Sequence, residues 1–136
     1  MRCVRKTIRC EDGQAMVEFL LSAIFLFTLM FGVVQLVVLT YTFVEMAQAA
    51  KAGVRYAVVH GSHSGSSSGP GNTTGVENAV KYYSNHSGMT ITVSYPDGDN
   101  APPKRVRVDL SYPFSFIPLA WALPTVTTSA EGRIEF

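Results

Sequence analysis

The first place in this sequence where chemistry is to be expected is an acid at the edge of a long apolar run. Glu18 is followed by 26 residues, Phe19 to Val44, that carry no charge, and the next charged side chain is Glu45. Five residues before Glu18 stands Gly13, in the stretch Gly13-Gln14-Ala15-Met16-Val17-Glu18. A carboxylate held against hydrocarbon costs on the order of 1–3 kcal/mol at depth and less at the interface. Two roles are open to it. It marks a membrane boundary, helped by the positive end of a helix dipole, or it awaits a cation supplied by another chain, an attraction that low dielectric strengthens.

Other chemistry-bearing residues assemble into nothing comparable. His60 and His63 have an H-x-x-H spacing and His86 follows later, yet the surrounding Gly/Ser segment offers no Cys, Asp or Glu, so neither a metal nor a cofactor is expected. Gly69-Pro-Gly-Asn-Thr-Thr-Gly75 lacks the lysine of a phosphate-binding loop. Asp109 and Glu131 read as solvent-facing positions of alternating strands, and no pattern places a nucleophile beside a base. The chain is not expected to be an enzyme. Both cysteines, Cys3 and Cys10, lie in the basic leader, so residues beyond it must be held by packing rather than by disulfides. They are also poor metal ligands at that spacing, and no apolar stretch precedes Cys10 as lipoprotein processing requires.

The elements that must position Glu18 follow from charge and periodicity. At about 1.5 Å per residue the apolar run reaches roughly 39 Å, more than the roughly 30 Å of a bilayer core. Residues 1–13 hold four basic side chains against two acidic ones, which keeps the N-terminus cytoplasmic and sends residues 45–136 across. The remainder is close to neutral, which argues against a nucleic-acid partner. Helix-forming residues continue past the lipid edge, predicting one helix over 14–59 with its span at about 19–44. In its second half Ala49, Ala52, Tyr56 and Val59 share a face. Residues 60–74 read as a Gly/Ser-rich linker.

Thr74-Gly-Val-Glu77 fits a capping box, and Val76, Ala79, Val80 and Tyr83 form one stripe of a short helix over about 75–86, with Gly88 as its stop. The period then changes from helix to strand. Ile91, Val93 and Tyr95 alternate with Thr90, Thr92 and Ser94; Val106, Val108, Leu110 and Tyr112 alternate with Arg105, Arg107, Asp109 and Ser111. Phe114 to Pro124 is an apolar connection, and 125–136 is a third strand candidate. The predicted fold class is α+β: a long N-terminal transmembrane helix extending into a small exported domain, 75–136, with a short helix and a three-stranded antiparallel sheet. Such a thin core needs a cover, and the second half of the long helix supplies one.

The leader ending in Gly13, the acid at Glu18, Phe19 opening the apolar run, and the Ala-rich stretch from Gln48 to Ala57 together resemble a type IV prepilin signature. More narrowly they resemble the TadE-like family of tight-adherence minor pilins or pseudopilins. The resemblance implies a substrate of a prepilin peptidase, cut between Gly13 and Gln14, and a Glu18 that pairs with the free amine of a neighbouring subunit. It implies other pilin subunits and a membrane assembly platform as partners, with the chain in a bacterial inner membrane and then in a pilus. Helix packing would use Gln35, Ala49, Ala52 and Tyr56, Gln35 being the amide at depth. Two rivals remain: an uncut single-pass membrane protein with a small binding domain, and a secreted protein cut after Ala47-Gln48-Ala49, for which the apolar run is too long.

Overall fold

The structure, a computed structural model, describes the backbone of residues 4–114 and 125–135, with side chains from Gly13 onward. The fold is α+β. In chain order come α1 (Val4–Val59), α2 (Thr74–Tyr83), β1 (Thr90–Ser94), β2 (Arg105–Tyr112) and β3 (Val126–Arg133). The chain divides into two compact units, the first ending at Val38 and the second beginning at Leu39, and α1 contributes to both.

In the first unit, apolar side chains are exposed on every side of the helix from Gly13 to Val38, and only Ala23 and Gln35 are partly covered. A helix that is apolar all round belongs in a core or in lipid. None of its apolar window is buried, and its length and composition fit a membrane span. The helix begins at Val4 rather than near Gln14. One interior glycine costs about 1 kcal/mol, too little to end a helix already nucleated on both sides.

The second unit is built on a sheet in the order β1-β2-β3, antiparallel throughout. Ile91 opposes Leu110 and Val93 opposes Val108, while Val108 and Leu110 oppose Ala130 and Thr128 on the other side. The period of two therefore turns Val106, Val108 and Leu110 to one face, where all three are buried. The second half of α1 and α2 complete that core with Met46, Ala49, Ala50, Val54, Ala57, Val76 and Val80. α2 runs antiparallel to α1: Gly75 lies against Tyr56, Val80 against Gly53, and His86, just beyond the helix, against Glu45. An added Cβ at Gly53 would lie 2.6 Å from Val80 Cγ2, so glycine sets how closely these two helices approach.

The buried stripe of α1 differs from the expected one. Ala49 is buried, but Ala52 and Tyr56 are half-buried and Val59 is 52% exposed; the core instead takes Met46, Ala50, Gly53, Val54 and Ala57. Rotation about the helix axis follows the close approaches, Gly53 to Val80 on α2 and Gly132 of β3 to Val54. The cap of α2 also shifts. Thr73, not Thr74, precedes the helix, and its hydroxyl donates to Glu77 Oε1 at 2.8 Å while its carbonyl accepts from Glu77 N. The capping-box bond from side chain to backbone is not made. α2 ends at Tyr83, with Ser84 extended, and Gly88 (φ +91°) serves the turn into β1 rather than the helix stop.

Residues 60–74 depart furthest from a free linker. Ser68 N and Oγ both donate to His60 O, and Asn100 Nδ2 donates to Ser68 O at 2.9 Å. Ser62 N donates to Asn100 O, and Gly61, Ser68 and Gly69 are buried. The segment is an ordered lobe pinned by Asn100, through both its side chain and its carbonyl, and by Ser68. Of the apolar connection, Phe114 is buried; 115–124 lie outside the described residues.

Candidate processing and assembly segment

Gly13, Gln14, Glu18 and Phe19 all lie on α1 in the first unit, and all are exposed. Gln14 and Glu18 are one turn apart and so share a face. With Gly13, Val17 and Leu21 they line a shallow depression of about 620 Å³. Among the described residues Glu18 has neither an ion pair nor a hydrogen bond. A carboxylate at the edge of an apolar run, with no cation beside it among the described residues, is free to accept from another molecule. Gly13 has no steric duty either: a Cβ built there meets nothing within 4 Å. The helix would be more stable with alanine at that position.

The residues expected to pack helices fall in different surroundings. Gln35 is partly covered in the first unit, whereas Ala49 is buried within the second unit's own core. Tyr56 sits over Gly75, with its ring stacked on His60 at 4.0 Å between centroids and 11° between planes. His60 Nδ1 is 2.9 Å from Tyr56 O, so this histidine is occupied by its own helix end. His63 is exposed. Among the described residues no group of three or more His, Cys, Asp or Glu could hold a metal.

The acids of the sheet's outer face are paired with arginines. Asp109 accepts from Arg107 Nε at 2.9 and 3.1 Å, and Glu131 lies 3.5 Å from Arg105 Nη1. Arg105 also donates from its side chain and its backbone to Asp97, which together hold that carboxyl below its usual value. The Lys104 ammonium, then the Asn100 amide, does the same for Asp99.

One contact was not visible in the sequence. His86 Nε2 lies 3.4 Å from Glu45 Oε2, with both side chains about a quarter to a third exposed. His86 also tilts against Tyr112 at 5.1 Å. Glu45 and His86 are far apart in the chain and each looks isolated there; only the antiparallel descent of α2 along α1 brings them together.

With this geometry in place, the family model described as TadE-like protein matches residues 13–55. Residues 13–55 are similar to TadE-like proteins. The matched stretch opens at Gly13, contains the unpartnered Glu18 and the whole apolar run, and ends on the buried stretch of α1. The similarity over these residues points toward pilin-like proteins of tight-adherence pili, and a helix this long and apolar fits membrane anchoring. No curated protein and no solved structure matches the chain.

Proposed function

We propose that this chain is a minor pilin or pseudopilin of a tight-adherence pilus, or of a related secretion machine, and that it acts as an assembly subunit rather than an enzyme. A prepilin peptidase cuts between Gly13 and Gln14, releasing the leader. The freed ammonium of Gln14 then meets Glu18 of a neighbouring subunit at the lip of the hydrocarbon. The N-terminus is cytoplasmic, the second unit lies outside the cytoplasm, and the partners are other pilin subunits and an inner-membrane platform.

The observation that carries this reading is Glu18 itself: exposed, unpartnered among the described residues, and one turn from the residue that becomes the new N-terminus. Neither Gly13 nor Glu18 helps hold this fold together, so each is free to serve recognition. The bond to be cut lies within α1, and a peptidase must unwind the helix there to reach it. Gly13 is the residue at which unwinding costs least, by about 1 kcal/mol relative to alanine.

Mass spectrometry of the native N-terminus tests the cut. A chain beginning at Gln14 is expected; a native chain that keeps residues 1–13 overturns the reading. Glu18→Ala tests assembly. It leaves membrane insertion intact, while the unpaired ammonium costs about 3–5 kcal/mol, a loss of incorporation of about a hundredfold or more.

A further inference from the structure

Within the second unit, the end of the apolar run is flanked by more than α1 itself. α2 descends antiparallel to α1, so that its C-terminal turn stands beside Gln48 and Lys51, and His86 reaches Glu45, the first charged residue after the apolar run. Tyr82 and Tyr83 stand edge to face at 5.5 Å on that turn, 86% and 56% exposed. Two such rings left in water are an unusual use of aromatic surface, whereas tyrosine collects where hydrocarbon gives way to headgroups.

Distance along the helix agrees. Lys51 is seven residues beyond Val44, or about 10 Å, and the headgroup layer of one leaflet is about 5–8 Å deep. Helical side chains lean toward the helix N-terminus, which here is toward the lipid, so the Lys51 ammonium falls back into that layer. Lys51 and Arg55 share one face, an acid partner for neither is present among the described residues, and with Ala52, Tyr56 and Tyr83 they line a groove of about 570 Å³. Glu45 Oε2 lies 3.4 Å from His86 Nε2 and is paired with neither cation among the described residues.

We propose that this side of the second unit, Lys51 with Tyr82 and Tyr83, is a docking surface for the anionic headgroup layer of the membrane that α1 spans, seating the domain on the bilayer before assembly. Its occupant is lipid because the surface adjoins residues 39–44, the end of the apolar run within this unit, carries positive charge without an acid partner among the described residues, and pairs that charge with interfacial aromatics. The proposal rests on the anchoring part of the function proposed above.

The test uses the full chain, labelled with ¹⁵N at its tyrosine amides, at one copy per nanodisc containing a gadolinium-chelating lipid. In discs with phosphatidylglycerol, Tyr41, Tyr82 and Tyr83 lose most of their signal and Tyr95, at the far end of β1, keeps it. Lys51→Glu restores Tyr82 and Tyr83 while leaving Tyr41 quenched, and discs of phosphatidylcholine alone act in the same direction. If Tyr82 and Tyr83 keep their signal while Tyr41 loses it, the docking surface is overturned and the anchor stands. If Tyr41 also keeps its signal, the anchor itself fails. Loss at Tyr82 and Tyr83 that tracks the number of copies per disc, and not the gadolinium lipid, makes the surface a subunit contact and also overturns the proposal.

Discussion

The two halves of α1 use similar residues under opposite rules. From Gly13 to Val38 its Phe, Leu and Val side chains are exposed in every direction, and a Cβ built at Gly13 or Gly32 meets nothing within 4 Å. From Leu39 to Val59 the apolar residues are fewer and smaller, yet Met46, Ala49 and Ala50 are fully buried and Gly53 is in contact with Val80 and Val108. In lipid a leucine gains nothing by touching protein rather than an acyl chain. In water the same side chain is worth about 1.5–3 kcal/mol when buried. Hydrophobicity alone marks the first half, but position on the helix decides the second.

The sharpest way to break that contrast is to delete a leucine from each environment. Leu110→Ala, in the core beneath α1, lowers stability by about 2–5 kcal/mol. Leu26→Ala, on the exposed helix of the first unit, leaves the second unit's unfolding unchanged. Thermal unfolding of the full chain in detergent micelles, followed by near-ultraviolet circular dichroism, reads both. Equal losses would mean that the first unit carries a packed core of its own.

Glycine sharpens the comparison further. Gly53→Val pushes a side chain into Val80, Val76 and Val108 and costs about 1–3 kcal/mol by overpacking. Gly32→Val meets nothing within 4 Å and leaves the same transition where it was. A neutral Gly53→Val would mean that the two helices are not held at this separation.

These glycines also explain how much of the fold was legible. The apolar run, the short helix and the strand alternation needed only local pattern; the register that pairs Val93 with Val108 and Ile91 with Leu110 did not follow, since a slip of two residues keeps the same face. The buried face of α1 did not follow, because Gly53 reads as a defect in a helix until Val80 is seen beside it. The Gly/Ser segment was misread for a related reason: its anchor, Asn100, lies 32 residues beyond Ser68 and belongs to another turn. Of the candidate site, Gly13 and Glu18 were legible as a spacing. The Glu45–His86 contact was not, since it depends on where α2 ends.

The pinned lobe gives a smaller effect. Asn100→Ala removes the bond to Ser68 O and costs about 0.5–1.5 kcal/mol, most of it local. Amide exchange of Ser68 and Gly69 should quicken while that of Val108 stays slow. If all three quicken together, the lobe is part of the core rather than fastened to it.

The smallest effect is electrostatic and separates the two units by solvent. The Arg105 side chain and backbone, and the Lys104 ammonium, hold Asp97 and Asp99 below their usual value of 3.8. Because the folded carboxyls are the stronger acids, their contribution is whole above that value and is lost as pH falls through the lower folded values. Both are open to solvent, so the loss is local: the 96–104 turn loosens while β2 and β3 stay paired. An acid titration by NMR should show the Arg105 Nε resonance moving only below about pH 4. Asp97→Asn should weaken that response, since Glu131 is then the carboxylate left beside Arg105. Helical content contributed by the first unit should not change over the same range, since its apolar surround does not depend on the turn's ion pairs. A turn that melts well above pH 4, or a first unit that melts with it, would show that the pairs support more than the loop that carries them.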